Sequence, residues 1–429
     1  MMLPDMNLRF GLLREHDFRQ LFIADTISQL GTQVSLLALP LVAVLTLHAT
    51  PFEVGLLATF ETLAFILVGL PAGAWVDRMR RRNVLMAGDL GRALVLGTVP
   101  LAWALDVLTM PQLYAVALVT GVLTVFFDVA YQSYLPHLVG RDHLVEGNGK
   151  LEAVRGVTQL AGPTGAGLII QWLTAPFAVA LDAISFAGSA VFVGLIRKRE
   201  ALPERTSDAH LGREIKEGLR FVLGNRLLRS IAMCTGSSNF FSGIAGSMMI
   251  VLLARDLRLP AGTIGLFFSL GAIGGLLGAF TASPIARRLG QGPTIWISIA
   301  VTSPFGLLTP LAQRGWLLWA AAFGMLMYWY GAVVYNITQV SFRQGLTPER
   351  LLGRMNATMR FLVWGTLPLG SFVGGLLGTY LGVRQAIWVG AVGGMLAFLP
   401  VFFSPLRTMR ELPRDESLDD QAEAGKITA

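Results

Sequence analysis

Long apolar runs almost free of charge alternate along the chain with short clusters of Gly, Pro, Arg and Asp. A helix needs about 20 apolar residues to cross a ~30 Å hydrocarbon core, and on that criterion twelve spans are predicted. They lie near 19–46, 54–76, 84–105, 111–136, 150–172, 177–196, 229–253, 262–286, 293–312, 316–340, 357–380 and 384–405. A polar segment at 197–228 divides them six and six. The expected fold class is an all-α polytopic membrane protein. Its parts would be an N-terminus at 1–18, a six-helix bundle at 19–196, a linker at 197–228, a second bundle at 229–405 and a tail at 406–429.

Composition supports this reading. With 53% hydrophobic and 14% charged residues, the chain is far poorer in charge than soluble domains, in which about 25% is usual. The single cysteine, Cys234, excludes an intrachain disulfide and lies in an apolar run, so it reads as an inert core thiol. The five histidines fall in or beside predicted loops, and no spaced ligand set suggests a metal; no cofactor is expected. The first eighteen residues carry no sign of a cleavable leader. A pI of 9.9 does not point to nucleic acid, because the basic residues are spread over short loops.

Their distribution points instead to topology. Of 34 Lys and Arg residues, 28 fall on the termini, the central segment and the loops of that side; Arg255, Arg258, Arg314 and Arg384 fall on the other. Basic loops stay in the cytoplasm, which predicts both termini inside and a bacterial inner-membrane location. The stretch Glu214 to Arg229 spaces Ile215, Leu219, Phe221, Val222 and Leu228 among Lys and Arg, an amphipathic helix expected on the inner membrane surface. The acidic run Asp415 to Glu423 reads as a disordered, solvated end.

The halves repeat. At a spacing of 208 residues Asn148 matches Asn356, Gly162 matches Gly370, Gly167 matches Gly375, Leu168 matches Leu376 and Ala183 matches Ala391. Duplicated halves place a transporter's substrate site near the midplane between them. After the second span comes Gly73-Ala74-Trp75-Val76-Asp77-Arg78-Met79-Arg80-Arg81-Arg82. Gly73 permits close helix approach, and Asp77 can accept hydrogen bonds from a helix N-terminus.

This loop resembles the signature of the major facilitator superfamily. The resemblance implies that fold, twelve helices, and a gating latch of Gly73, Asp77, Arg78 and Arg81 that caps the start of helix 11 near Asn356. Phe126-Phe127-Asp128, Leu135-Pro136, Asn148 and Glu217-Gly218-Leu219-Arg220-Phe221 are similar to the drug and siderophore exporters of the enterobactin and macrolide efflux type. Gly162, Pro163 and Gly167 resemble the antiporter signature of helix 5, with Ala166 departing from it. Helix 4 lacks the arginine that many twelve-helix antiporters carry. A bend is expected at Pro163.

Ionisable groups in hydrocarbon are costly and face a cavity or a partner. The first half holds Asp25, Glu61, Asp89, Arg92, Asp128, Glu152, Arg155 and Asp182 in or at the ends of spans, and the second half almost none. Asp89/Arg92 and Glu152/Arg155 are one turn apart and read as charge pairs. Asp25, Asp128 and Glu61 remain as candidates to carry protons. Asn239, Phe240, Trp329, Tyr330, Asn336 and Trp364 offer a surface for bulky, partly apolar compounds.

The expected activity is proton-coupled antiport, exporting amphiphilic drugs or siderophore-like metabolites from a monomer by alternating access. An importer or uniporter of a small metabolite, and a non-transporting membrane sensor, stay open. An enzyme is not expected, since no hydrolase or metalloprotease motif appears. Nor is an ATP-driven pump, since the Gly-Lys pairs are followed by Leu151 and Ile427.

Overall fold

A computed structural model describes residues 11–410 except 70, 77, 141, 199 and 201–210. The first half comprises α1 (His16–Leu41), α2 (Pro51–Val68), α3 (Pro71–Val76), α4 (Arg81–Ala104), α5 (Met110–Val139), α6 (Leu144–Leu173) and α7 (Ala175–Gly194). Next come α8 (Leu211–Gly224), α9 (Arg226–Val251), α10 (Ala261–Leu289), α11 (Gln291–Thr302) and α12 (Trp316–Leu346). The last elements are α13 (Glu349–Trp364), α14 (Thr366–Tyr380), α15 (Val383–Leu396) and α16 (Leu399–Phe402). Among the described residues eleven helical stretches are long and apolar enough to span a membrane. The twelfth, α6, has 30 residues and the same place in the bundle, but the charges of its first turns make it more polar.

Three expectations need correction. The eleventh span begins at Glu349 rather than 357, because its first two turns carry Arg350 and Arg354 and do not look like membrane. It breaks at Gly365: Pro368 has no N–H to offer the carbonyl four residues back, at Trp364. The ninth span is α-helical only to Thr302, and Ser303–Leu311, with Pro304 and Pro310, is a 3-10 helix. The amphipathic stretch is split at Asn225, whose side chain caps α9 by accepting from the N–H groups of Leu227 and Leu228. Part of the apolar face of α8 packs on protein. Val222 is buried with Leu228, Met355 and Met359, Gly218 sits against the Arg354 carbonyl, and Glu217 pairs with Arg354 at 2.6 Å. Through Pro163, α6 runs unbroken.

The 208-residue repeat has a geometric meaning. Gly162 of α6 sits on Gln33 of α1, and its counterpart Gly370 of α14 sits on Phe240 of α9; both contacts lie within a half. Gly167 and Gly375 instead face the opposite half. A Cβ on Gly167 would come 3.1 Å from Gly262 Cα, and one on Gly375 would come 3.1 Å from Gly55 Cα. Close backbone approach of small residues is how membrane helices associate when burial of apolar surface offers no gain over lipid. Thr164 adds bonds to Ser269 Oγ from its N–H at 3.2 Å and its hydroxyl at 2.8 Å. The ends of the first and seventh spans widen alike, into π-helical segments Val42–Thr46 and Leu252–Asp256.

These contacts all lie on the side away from the termini. There a single apolar core runs through both halves, joining Leu41, Leu57, Leu113 and Ile170 to Leu253, Phe267 and Ile387. On the terminal side the core is three separate clusters, none shared between the halves: two in the first half, around Phe18, Leu85 and Tyr134 and around Ala64, Ala72 and Val125, and one around Ile231, Phe342 and Met355. The halves are thus sealed together on one side and parted on the other.

Replacing Gly55 by Leu places a side chain against the backbone of Gly375 and Ser371. We expect the seam to part while each half keeps its fold. Spin-label distances between α2 and α14 on that face should lengthen; distances unchanged from the unmodified protein would contradict the role given to this contact.

Candidate substrate and proton pathway

Asp25 on α1 is buried, at 4% exposure. Its surroundings are Tyr131 of α5, Gln29 one turn on, Arg155 of α6 and Asp128. Asp128, one turn before Tyr131 on α5, faces Arg92, Arg155 and Arg360. Since Arg360 belongs to α13, Asp128 looks across at the second half. The two carboxylates that have no partner at helical spacing thus share Arg155 through the fold. Arg155 also pairs with Glu152 at 3.0 Å on an exposed face, so this predicted pair forms and is only part of the guanidinium's environment.

The pair Asp89/Arg92 forms too, fully buried at 2.5 Å. The Arg92 guanidinium lies between the rings of Phe127 and Phe186, 4.4 and 4.1 Å from their centroids, which supplies cation–π attraction. Asp89 accepts a second bond from Ser189 at 2.7 Å. Asp182 of α7, fully buried, accepts from Ser185 at 2.9 Å and lies beside Ser35 and Arg92. Gly31 leaves it room, since a Cβ there would overlap Asp182 and Ser185. The first half therefore encloses more carboxylates (Asp25, Asp89, Asp128, Asp182) than guanidinium groups (Arg92, Arg155). Glu61 on α2 stands apart, half-buried and without an ion pair among the described residues.

The expected latch is described only in part. Asp77 lies outside the described residues. Open space surrounds the position a Cβ would take on Gly73, so the close approach expected there is not made. Arg78 is exposed. Arg81 bonds Glu200 twice within the first half, through its guanidinium at 2.7 Å and its N–H at 2.6 Å. Asn356 is not at a helix start: α13 begins at Glu349, which leaves its N–H engaged inside the helix. The free N–H groups a carboxylate could cap belong to the first turn after Pro348. Gly162, Pro163 and Gly167 serve the packing described above.

Of the six residues expected at the substrate surface, Trp329 lines a cavity. Trp329 joins Phe241, Met249, Phe268, Met325 and Tyr328 around a space of about 240 Å³ within the second half. The 3-10 segment of the ninth span borders it through Ser303, Gly306 and Thr309; a 3-10 helix is slimmer than an α-helix. Asn239 ties α9 to the Val363 carbonyl at 3.0 Å. Phe240 packs on Gly370. The Tyr330 hydroxyl accepts from Thr281 at 3.1 Å. Asn336 accepts from Gln339 at 3.0 Å. Trp364 meets Phe65 of the first half, ring centroids 4.9 Å apart. Met and Phe at helical spacing look like ordinary core in a sequence, so the cavity lining other than its Trp and Tyr carried no separate signal.

Loss of Arg92 would leave Asp89 and Asp182 buried without their cation, at a cost of about 3–5 kcal/mol. Arg92→Leu is expected to lower the unfolding temperature in detergent markedly, and Arg92→Leu with Asp89→Leu to recover much of the loss. A neutral single variant would contradict the pairing.

Comparison with known proteins bears on what this arrangement belongs to. The model of the Major Facilitator Superfamily matches residues 21–365. The chain is 29% identical over 402 residues to the multidrug efflux pump Tap of Mycolicibacterium fortuitum, covering 89% of this chain and 93% of that protein. It is 27% identical over 362 residues to the enterobactin exporter EntS of Escherichia coli O1:K1, covering 81% and 82%. Among solved structures, a bacterial homologue of the iron transporter ferroportin in an inward-facing state superposes with a TM-score of 0.74, at 18% identity, over 91% of this chain and 98% of that one. A helical, multi-pass, two-halved chain matched by the family model over most of its length is a member of the major facilitator superfamily.

Proposed function

We propose that the protein exports amphiphilic small molecules, drugs or siderophore-like metabolites, across a bacterial inner membrane in exchange for protons. Both termini are cytoplasmic in this reading, as the bias of Lys and Arg to their side requires. The side on which the halves share no apolar core then faces the cytoplasm, from which a monomer would take up its cargo. Tap and EntS, an efflux pump and an exporter, favour the outward direction.

The observation that carries the coupling is the surplus of carboxylates over guanidinium groups in the first half, with Asp25 and Asp128 sharing Arg155. Unbalanced negative charge in a low-dielectric interior is costly. Either a proton or a cationic group of the cargo relieves it. The two would compete for the same carboxylates, so that release of cargo outside is followed by proton uptake there, and return to the inward form by proton loss to the cytoplasm. Asp25 and Asp128 are the first carriers, with Glu61 a third carboxylate on a neighbouring helix. The apolar part of the cargo meets Trp329 and the aromatic lining of the second half. Antibiotic resistance would be the cellular consequence.

In proteoliposomes with an imposed pH gradient, wild-type protein should drive efflux of a lipophilic cationic dye, and Asp25→Asn and Asp128→Asn should each reduce it by about 10-fold or more, in the range seen when a positioned acid–base group is lost. Flux that ignores the gradient, or that both variants leave intact, would remove the antiport reading.

Trp329→Ala should weaken transport of aromatic cargo while leaving the pH dependence as it is. Aromatic packing of this kind contributes about 0.5–1.5 kcal/mol per ring, so KM should rise several-fold. An unchanged KM for every aromatic dye tested would take the cavity out of the pathway.

A further inference from the structure

A second cavity lies away from the substrate pathway, on the terminal side of the second half, where α10, α11 and α12 end or begin. It measures about 660 Å³ and is lined by Arg287, Arg288 and Arg410. Ser283 of α10 and Ser341 of α12 share the lining, which contains no carboxylate. Among the described residues none of the three arginines forms an ion pair. Three cations from two distant parts of the chain have been brought around one space with no anionic side chain among the described residues that line it.

Backbone contacts fix this convergence. Gly290 ends α10 at φ +91°, a conformation open to glycine, and a Cβ there would meet Arg410 Cα at 2.6 Å. The strand of chain leaving α16 therefore lies directly on the turn. Gln291 N–H donates to the Arg410 carbonyl at 3.1 Å and Gly292 N–H to the Met409 carbonyl at 3.0 Å. Arg410 is held beside Arg287 and Arg288 by main-chain bonds, at the level where a spanning helix leaves the membrane.

Below the arginines the surface turns apolar. On α10, Phe280 is 74% exposed and Leu277 48%, one and two turns toward the membrane from Ser283. Ile337 of α12 lines the cavity itself. Arginine forks match phosphate oxygens, and basic pockets between membrane helices accept anionic head groups. We propose that this cavity binds the phosphodiester of an anionic phospholipid drawn from the leaflet on the terminal side, with an acyl chain along Ile337, Phe280 and Leu277. A soluble phosphate compound would use the arginines but not the apolar lane.

Native mass spectrometry of the full-length protein in detergent tests this, with phosphatidylglycerol and phosphatidylcholine as probes. Phosphatidylglycerol retention should fall by about fivefold for each arginine removed, the equivalent of ~1 kcal/mol per basic residue at a membrane surface, in the series Arg287→Gln, Arg288→Gln and Arg410→Gln. Phosphatidylcholine retention should not change. Ser283→Glu, which adds an acid to the exposed lining without removing any arginine, should reduce phosphatidylglycerol retention similarly if the triple variant fails to fold. Arg226→Gln with Arg229→Gln removes basic charge elsewhere on the same side and should have no such effect. Equal retention in wild type and the arginine or Ser283→Glu variants would overturn the proposal. So would equal loss in the Arg226/Arg229 control, or stabilisation by inorganic pyrophosphate with no preference for phosphatidylglycerol, which would assign the cavity to a soluble phosphate instead.

Discussion

Close backbone contact between the two halves on the face away from the termini is the constraint on which the rest of the architecture depends. Gly167 against Gly262 and Gly375 against Gly55 are related by the internal repeat, so a single device seals both sides of the seam. Glycine gives no apolar burial of its own; its contribution is approach distance, which lets dispersion and the Thr164–Ser269 bonds act across the interface. With that face sealed and the terminal-side cores separate, apolar packing is continuous between the halves on one side only. Gly162 and Gly370, the other conserved pair of the repeat in position, do the complementary work of holding each half rigid.

Upon this symmetric frame the chemistry is asymmetric. Buried charge is concentrated in the first half, where Arg92 is bonded to Asp89 and set between two rings. That pair is anchored strongly enough to serve as a fixed reference for its surroundings. Asp25 and Asp128 are less completely matched, sharing Arg155, and Asp128 also faces Arg360 of the second half. The second half answers with an aromatic and thioether-lined space. One half is fitted to handle charge and the other to handle shape, which suits cargo that carries both a cationic and an apolar part.

Much of the fold was legible because the membrane imposes a simple rule on composition, and charge-free runs read directly as spans. The rule failed where helices extend beyond the hydrocarbon: α13 starts among arginines, and α6 opens with Glu146, Lys150 and Glu152. It also failed to tell 3-10 from α-helix in the ninth span, where two prolines settle the matter locally. Candidate site residues stand out where a charge interrupts an apolar run, as with Asp25, Asp128 and Arg92. Their grouping does not, because Arg155 reaches Asp25 through packing between helices rather than through sequence spacing. Asn239, Tyr330 and Asn336 were read as substrate contacts on their chemistry, yet each spends its polar group on a neighbouring helix or its own turn. A polar group in a membrane protein is satisfied by protein first, and sequence does not say which groups are left over.

The claim at the centre of this account is that proton and cargo compete for the same carboxylates. Proton release on cargo binding is its most direct measure: tetraphenylphosphonium added to purified protein in weakly buffered detergent solution, with the pH followed by an indicator dye. Competition predicts that protons appear in proportion to the cation bound, and that the release disappears when Asp25 and Asp128 are both replaced by Asn. Saturable binding of the cation with no proton released would contradict it.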